Sequence, residues 1–277
     1  MIDIRNLDTA IENLLDKPDI FRKTVLSLAM QGKITVQNQD ICVDDKISEI
    51  KSTLSKNSAH NTFKKKIIPD LLEESQYKLP NGWAWIALGH LGIWSTGCGF
   101  PKEYQGQSNQ ELLFCKVSDM NLKGNEVEIN ETINSISHKT NKIIKGKINM
   151  PGTVIFPKIG GAIATHKRRI IKYPTIIDNN CSGLYGIGLT NIKWLYFLLS
   201  SIDMTKYQVG TSVPAVSQGV LNRIRIGLPS IEEQSRIVLK IESLFDKYQI
   251  LEKKSEAYKI MSDKIAIGTL RTLVKNN

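Results

Sequence analysis

The C-terminal part of the chain carries the apolar pattern that most constrains the fold. Pro229 precedes Ser230, and Ser230 followed three residues later by Glu233 is a helix-start signal. From there, side chains recur with alternating spacings of three and four residues, and seven of the nine positions are apolar. These positions are Ile237, Ile241, Leu244, Tyr248, Leu251, Ser255, Tyr258, Ser262 and Ile265. The pattern predicts a coiled-coil helix from 231 to about 267, on the order of 55 Å long at about 1.5 Å per residue.

A helix of this length cannot bury its own apolar seam. It must pack on the N-terminal helices, on a second copy or on a partner, and the alternative is a helix that lies along its own domain. We expect the apolar seam positions to form a dimer or partner interface. The expected interface residues are Ile237, Ile241, Leu244, Tyr248, Leu251, Tyr258 and Ile265.

The middle of the chain has a different residue pattern, in which short apolar runs are separated by Gly, Pro, Asn and Ser. One clear helix is predicted at 192–202. The runs that predict strands are 83–88, 112–117, 153–156, 162–165, 170–172, 184–189 and 224–228. The sequence therefore predicts an α+β protein, in which a mostly-strand mixed domain occupies residues 78–229.

The N-terminal part predicts helices and a linker. Leu7, Ile11 and Leu14 share one helical face, and a second helix restarts at Pro18 and continues to Gly32. Residues 33–77 are polar and rich in lysine. The predicted organisation is a helical leader and linker at 1–77, the mixed domain at 78–229 and the long helix at 230–277.

Positive charge is concentrated in the middle domain. The chain has a net charge of +10, and residues 78–229 hold 17 Lys and Arg against 8 Asp and Glu. Residues 132–177 contain nine cations and no acid. A region of one sign attracts a polyanion, because basic side chains that neutralise phosphates release condensed counterions. The charge distribution favours nucleic acid as the partner.

Recognisable catalytic patterns are missing from the sequence. It contains no GxxxxGK[ST] phosphate loop, no HExxH and no GxSxG, and its four histidines are scattered. No stretch reaches the roughly 18 uncharged apolar residues of a membrane span. We expect a cytoplasmic recognition protein that binds neither membrane nor cofactor.

Five segments, in chain order, resemble the target-recognition domain and following helix of type I restriction-modification specificity subunits. They are "LPNGWAWIALGHLGIWSTGCGFPKEYQG", "LLFCKVSDMN", "PGTVIFPKIGGAIATHKRRII", "IDNNCSGLYG" and "GTSVPAVSQGVLNRIRIGLPSIEEQSRIVLKIESLFD". The leader "RNLDTAIENLLDKPDIFRKTVLSLAMQGKI" resembles the helical leader of the same subunits. The most specific piece runs from Leu228 to Phe245.

The resemblance implies a subunit that performs no chemistry. In that family the recognition domain reads one half of a split DNA sequence, and spacer helices recruit methyltransferase (M) subunits. The implied partners are double-stranded DNA, M subunits and the restriction (R) subunit. S-adenosylmethionine, ATP and Mg²⁺ would be bound only in the partner subunits.

The chain departs from the family pattern in length. Family members usually carry two recognition domains and two spacer helices, whereas this chain has one of each. We expect it to pair head-to-tail with a second copy through its helices, which predicts a palindromic, interrupted target. A different specificity subunit as partner remains open.

Candidate DNA contacts centre on the stretch "KIGGAIATHKRRIIK". Arg168 and Arg169 rank first, because an Arg bidentate to guanine is the commonest specific contact. The other basic candidates are Lys158, His166, Lys167 and Lys172. Four polar loop residues are added because amide and hydroxyl groups offer donors and acceptors to base edges: Asn179, Asn180, Ser212 and Gln218.

Two other classes of function stay open on the sequence. The chain could be a stand-alone DNA-modifying or DNA-cleaving enzyme, in which case the pure chain would nick or methylate plasmid DNA. It could instead be a scaffold whose helix binds protein and whose basic region meets RNA or an acidic partner, which a comparison of binding to duplex DNA, RNA and a polyanionic control would reveal.

Overall fold

The computed structural model describes residues 17–36, 77–188, 190–210 and 212–275. For residues 262, 263 and 265–275 it describes the backbone only. Its strands are β1 (Ala84–Ala87), β2 (Gly92–Thr96), β3 (Leu112–Cys115), β4 (Glu128–Ile129), β5 (Asn134–Ile136), β6 (Val154–Pro157), β7 (Arg169–Ile171), β8 (Thr175–Ile177), β9 (Cys181–Gly186), β10 (Gln208–Val209), β11 (Ala215–Val216) and β12 (Arg225–Leu228). Its α-helices are α1 (Pro18–Met30), α2 (His138–Ile144), α3 (Ile192–Ser201), α4 (Gln218–Leu221) and α5 (Ile231–Lys275). The predicted α+β class and the long C-terminal helix are confirmed.

The strands form small, mostly antiparallel sheets. The five-stranded sheet has the order β2-β9-β6-β7-β4, and the three-stranded sheet has the order β5-β3-β8. Two further pairs are β1-β12 and β10-β11. Of these pairings, β3-β8 and β4-β7 are parallel. The five-stranded sheet carries the hairpin in which β6 leads to β7, with Ile155 opposite Arg169.

One predicted strand is wrong. Residues 162–165 belong to a 3₁₀ helix, Gly160–Thr165. Gly160 turns the chain with φ +67, and Ile163 is buried in the core. A short apolar run fits a buried turn as well as a strand, so its periodicity did not separate the two.

Three helices pack together at the base of the domain. Val25, Leu26 and Ala29 of α1 share one core cluster with the apolar face of α3 and with Ile237 and Ile241 of α5. The ring of Phe21 stacks on Tyr248, with centroids 4.3 Å apart. Residues 1–16, which include the first predicted helix, lie outside the described residues. The second predicted helix is α1.

Hydrogen bonds fix the start of α5. Ser230 Oγ accepts from the backbone N–H of Glu233 at 3.2 Å, which is the predicted N-cap. The side chain of Gln234, at Oε1, accepts from the backbone N–H of Asn191 at 2.7 Å. Asn191 in turn caps α3 by accepting from the N–H of Trp194 at 3.1 Å. The long helix therefore leaves the domain in a direction that α3 determines.

The seam of α5 divides into a buried and an exposed half. Ile237 and Ile241 are fully buried, and Leu244 packs partly against the core. By contrast, Leu251 is 52% exposed and Tyr258 is 68% exposed. The backbone of Ile265 is helical, and its side chain lies outside the described residues. The proximal half therefore lies along its own domain, whereas the distal half contacts little of it.

Candidate nucleic-acid interface

Several strands end at the same edge of the domain. Thr96, the last residue of β2, pairs with Ser182 near the start of β9. Pro157 at the end of β6 pairs with Cys181, the first residue of β9. The parallel strands β3 and β8 end together, with Cys115 beside Ile177. We call the loops at this end the strand-end edge, and they comprise residues 97–111, 116–121, 158–160, 178–180 and 210–216 without the undescribed 211.

Backbone hydrogen bonds join the loops on one side of this edge. The backbone N–H of Cys98 donates to Ile177 O at 3.0 Å, and the backbone N–H of Asp178 donates to Cys115 O at 3.0 Å. Gly97 allows the loop after β2 to come this close to the residues after β8, because a Cβ at position 97 would lie 1.7 Å from Asp178 O. The loop after β2 is thereby held against the turn between β8 and β9.

The loops on the other side are joined in the same way. Lys158 donates its N–H to Asn180 O at 2.8 Å, and its carbonyl accepts from Val216 N at 2.9 Å. Gly160 donates to Pro214 O at 2.7 Å. The segment after β6 therefore lies between the β8–β9 turn and the β10–β11 hairpin.

Four of the predicted contact residues meet here. Asn179, Asn180 and Ser212 are exposed, and Lys158 is partly exposed. Asn180 is oriented by Asp178, whose carboxylate accepts from the Asn180 backbone N–H and side-chain amide, both at 3.0 Å. Residues far apart in the sequence thus share one surface.

Arg168 belongs to the core. Its side chain is 2% exposed, and its guanidinium lies 5.4 Å from the ring centroid of Phe156. Nε donates to Leu199 O at 3.0 Å and Nη2 donates to Ile202 O at 3.3 Å. These carbonyls lie at the C-terminal end of α3, where helix carbonyls lack intrahelical partners and the dipole is negative. Burial lowers the pKa of Arg168 to about 10, so the group stays charged at neutral pH.

Arg169 also satisfies backbone carbonyls. Its Nη2 donates to Met120 O at 2.6 Å and its Nη1 donates to Arg168 O at 2.7 Å. The side chain is half-buried and ties β7 to the 3₁₀ helix Val117–Asn121. Arg168 and Arg169 were expected to contact DNA, and in the structure both side chains bind backbone carbonyls of their own domain.

The neighbouring cations point to separate places. Lys167 donates to the side chain of Asn121. His166 adopts a left-handed conformation with φ 51, and partial burial lowers its pKa. Lys172 lies at the opposite end of the sheet, 3.9 Å from Glu128 and hydrogen-bonded to Asn130 at 2.8 Å. The acid-free stretch of sequence does not form a single cationic face.

Gln218 begins α4, two residues beyond the end of β11, and is partly buried. Ser217 caps this helix by accepting from Val220 N at 3.2 Å. Gln218 is therefore close in sequence to the β10–β11 hairpin, and its backbone carbonyl accepts from Asn222 N at 2.9 Å.

Lys116 and its neighbours form a part of this edge that the sequence did not indicate. Lys116 Nζ donates to Gln105 Oε1 at 2.8 Å and lies 5.1 Å from the ring centroid of Phe100. The ring of Phe100 stacks on Phe114, with centroids 3.7 Å apart. The signal available in the sequence was the polar run "QGQSNQ" at 105–110, directly after an aromatic residue and two charges.

Lysines on α2 flank the same edge. Lys139 and Lys142 are exposed on α2, and the exposed Lys145 ends the helix in a left-handed conformation with φ 54. Gly146 follows directly, and a Cβ there would lie 3.1 Å from Cys98 Sγ. The C-terminal end of α2 therefore approaches the loop that begins at residue 97.

The acids at the edge are of two kinds. Asp119 is buried and accepts from the backbone of Lys116 at 2.7 Å and of Ile133 at 3.0 Å. Asp178 is buried beneath Asn180. Glu103 and Glu111 are exposed. Exposed acids therefore accompany the lysines of this edge, where Lys102 is exposed and Lys116 and Lys158 are partly exposed.

A second surface lies on the distal half of α5. Ile250, Leu251, Tyr258 and Met261 are all more than half exposed. At about 100° per residue they fall on one stripe about 100° wide. Tyr248 and Ile241, on the proximal half, instead face their own domain, where they are buried. Among the seam residues Ile237, Ile241 and Tyr248, the expected interface role is replaced by intramolecular packing.

Metal-binding clusters and membrane-spanning helices are both absent from the described residues. These residues contain no group of three or more His, Cys, Asp or Glu side chains placed to hold a metal ion. In the same residues, no helix has the length and apolar character needed to cross a membrane.

Comparison with known proteins identifies relatives. Over 246 residues the chain is 24% identical to the type I restriction enzyme EcoAI specificity subunit of Escherichia coli, which covers 82% of this chain and 39% of that protein. One similar solved structure is described as the structural basis of complex assembly and conformational transition of the type I R-M system. It has a TM-score of 0.53 at 16% identity, and the match covers 94% of this chain and 56% of that one. The crystal structure of the HsdS subunit from Thermoanaerobacter tengcongensis has a TM-score of 0.49 at 16% identity, covering 90% and 52%.

The chain thus spans between about two fifths and just over half of the length of these relatives. A family model described as the type I restriction modification DNA specificity domain matches residues 80–258. This match includes β1–β12 and the first half of α5. Because it covers well over half of the chain, the protein belongs to the type I restriction modification DNA specificity domain family.

Proposed function

We propose that this chain is the DNA-sequence recognition subunit of a type I restriction-modification complex. Its mixed domain binds one half of a bipartite duplex target, and its long helix sets the distance to the partner that binds the other half. The observation that carries the proposal is the strand-end edge, where loops from five parts of the sequence present lysines and exposed amides on one surface. Membership of the DNA specificity domain family supports the same proposal independently.

The contacts divide into two kinds. Lys158, Lys102 and Lys116 neutralise phosphates and set the orientation of the duplex. Asn179, Asn180 and Ser212 meet base edges, since their exposed side chains belong to the same edge as those lysines. Lys167 joins this surface through Asn121, with His166 next to it in the chain, and Gln218 follows the β10–β11 hairpin at the start of α4. Lys172 is at the opposite end and takes no part.

The partners follow from the second surface. The stripe of Ile250, Leu251, Tyr258 and Met261 pairs with the same stripe of a second copy, which restores two recognition domains and two helices. Methyltransferase subunits, and through them a restriction subunit, bind the assembled helices. The chain itself catalyses nothing and holds no cofactor, and S-adenosylmethionine, ATP and Mg²⁺ act in the partner subunits. The complex works in the cytoplasm.

The test compares lysines at the two ends of the domain. Lys158→Ala and Lys102→Ala each remove one phosphate contact, so each lowers the slope of log affinity against log salt concentration by about 1. Lys172→Ala makes the same change of charge at the opposite end and serves as the control. The measurement is duplex binding by fluorescence anisotropy over a range of salt concentrations.

The proposal requires Lys172→Ala to bind like the wild type while the two edge variants bind more weakly. Equal losses in all three variants would mean that only net charge matters, and would contradict a binding surface at the edge. Methylation or nicking of plasmid DNA by the pure chain would favour a stand-alone enzyme instead.

A further inference from the structure

The loop between β2 and β3 presents an unusual set of side chains. Residues 105–110, "QGQSNQ", are all exposed, and we call them the amide loop. Within the part of the chain that the structure describes, the side chains of Gln107, Ser108, Asn109 and Gln110 make no hydrogen bond. The loop carries no charge. It therefore offers hydrogen-bonding groups to something outside the chain.

Buried polar side chains hold the backbone of the amide loop in place. Asn134 Oδ1 accepts from the N–H of Gly106 at 2.8 Å, and Ser135 Oγ accepts from the N–H of Gln110 at 2.7 Å. The N–H of Ser135 donates to Gln107 O at 2.7 Å. Asn134 and Ser135 are themselves buried in β5. Because a buried polar group is costly unless it is hydrogen-bonded, these contacts fix the loop against the sheet.

The first residue of the loop is fixed in addition. Gln105 Nε2 donates to Phe100 O at 2.8 Å, and Gln105 Oε1 accepts from Lys116 Nζ at 2.8 Å. Phe100 is stacked on Phe114 of β3. These contacts hold the amide loop in place within the strand-end edge, beside Lys116, one of the proposed phosphate-binding lysines.

Asn109 has an uncommon backbone conformation. Its φ is 62, in the left-handed region that non-glycine residues rarely adopt and that Asn tolerates best. Residues in such conformations concentrate at functional sites, where the surrounding structure holds them. The anchors at residues 106, 107 and 110 provide that surrounding here.

We propose that the amide loop reads bases in the major groove, and that Gln107 and Asn109 recognise adenine. A carboxamide has a donor and an acceptor side by side, which matches N7 and the N6 amino group of adenine. The absence of Lys and Arg from residues 105–110 argues against phosphate binding as the task of this loop. Its fixed backbone allows selectivity, since little conformational freedom is lost on binding. This inference rests on the proposed function.

The experiment selects bound duplexes from a randomised pool with the purified full chain and sequences them. Gln107→Ala and Asn109→Gly each remove one amide, and glycine at 109 adopts the left-handed backbone without strain. Each variant is expected to lose its preference for adenine at one position of the target. Discrimination against the other bases at that position should fall on the order of 10-fold to 100-fold.

Gln249→Ala is the matched control, because Gln249 is an exposed amide on α5 far along the chain from the loop. It should select the wild-type sequence. Thermal unfolding of both loop variants should match the wild type, since neither side chain has a hydrogen-bond partner among the described residues. Wild-type base preference in both loop variants would overturn the inference, and so would a loss of affinity that is equal for all sequences.

The two proposals fail in different ways. If the wild-type chain selects no sequence at all, the proposed function fails and takes the inference with it. If the wild type selects a sequence and the loop variants select the same one, only the role of the amide loop is lost.

Discussion

At the scale of single residues, Arg168 shows how a cation can be structural. Its guanidinium satisfies carbonyls at the end of α3 and lies over Phe156, far from solvent. Charged hydrogen-bond donors are the strongest helix C-terminal partners, because they meet both unpaired carbonyls and the negative end of the dipole. The side chain that ranked first on sequence therefore stabilises the fold.

Arg168→Ala should lower the free energy of unfolding by about 3 kcal/mol, because it leaves buried carbonyls without donors and opens a cavity. Chemical denaturation with urea measures the change. Lys172→Ala, on the exposed surface, should change the same quantity by less than about 0.5 kcal/mol. An Arg168→Ala variant with wild-type stability and weakened DNA binding would restore the contact role.

His166 predicts a pH dependence of stability. Burial lowers its pKa, and Lys23 and Arg168 lower it further, while Asp203 and Asp19 act in the opposite direction. Because the folded pKa lies below the unfolded value, the unfolded chain takes up the proton first as pH falls. The free energy of unfolding should therefore decline as pH drops below about 6.5, until the folded pKa is passed.

Measurement of urea unfolding at several pH values between 8 and 5 tests this expectation. The variant His166→Asn removes the titrating group and keeps a residue that tolerates the left-handed backbone. Its unfolding free energy should vary less with pH over that interval. An identical pH profile in the variant would show that another group is responsible.

At the scale of elements, α5 has two halves with different tasks. The proximal half is a core helix, whose Ile241 is fully buried with α1 and α3. The distal half exposes its apolar stripe. The first part of one continuous apolar seam therefore packs on its own domain, and the later part does not. A long α-helix runs straight, so its distal half extends past the domain.

Ile241→Ala should destabilise the fold by about 2–5 kcal/mol, the usual range for a buried isoleucine replaced by alanine. Leu239→Ala is the control on the same helix, because Leu239 is 67% exposed. It should change stability by less than about 0.5 kcal/mol. Equal effects of the two variants in thermal or urea unfolding would contradict the packing of the proximal half.

At the scale of the whole molecule, the proposed function requires the strand-end edge and the exposed stripe of α5 to act in one assembly. Two copies that pair through the distal half of α5 would place two strand-end edges on one DNA molecule. The expected target is then interrupted and palindromic, because two-fold pairing repeats each half-site in the opposite orientation.

Leu251→Glu should abolish self-association, since it places a charge in the apolar stripe without touching the domain core. Sedimentation velocity of the full chain measures the change from dimer to monomer. Ile143→Glu is the matched control, because Ile143 is an exposed isoleucine on α2. If the wild-type chain is itself a monomer at all concentrations, pairing through this stripe is contradicted.

The sequence by itself determined the elements with strong local signals. The N-cap at Ser230, the α3 helix and the strands that include Ala84–Ala87 and Arg225–Leu228 follow from capping chemistry and apolar periodicity. Short strands such as β4 and β5 carry too few residues to show a period, and the run at 162–165 fitted both a turn and a strand.

The tertiary structure decided which polar residues share a surface. Lys167, Arg168 and Arg169 are adjacent in sequence and diverge, because each meets a different carbonyl or amide partner. Lys158, Asn180 and Pro214 are distant in sequence and adjacent in space, because strand pairing brings the ends of β6, β8 and β11 together. Local chemistry is written in neighbouring residues, whereas a binding surface depends on long-range strand register, which a single sequence does not display.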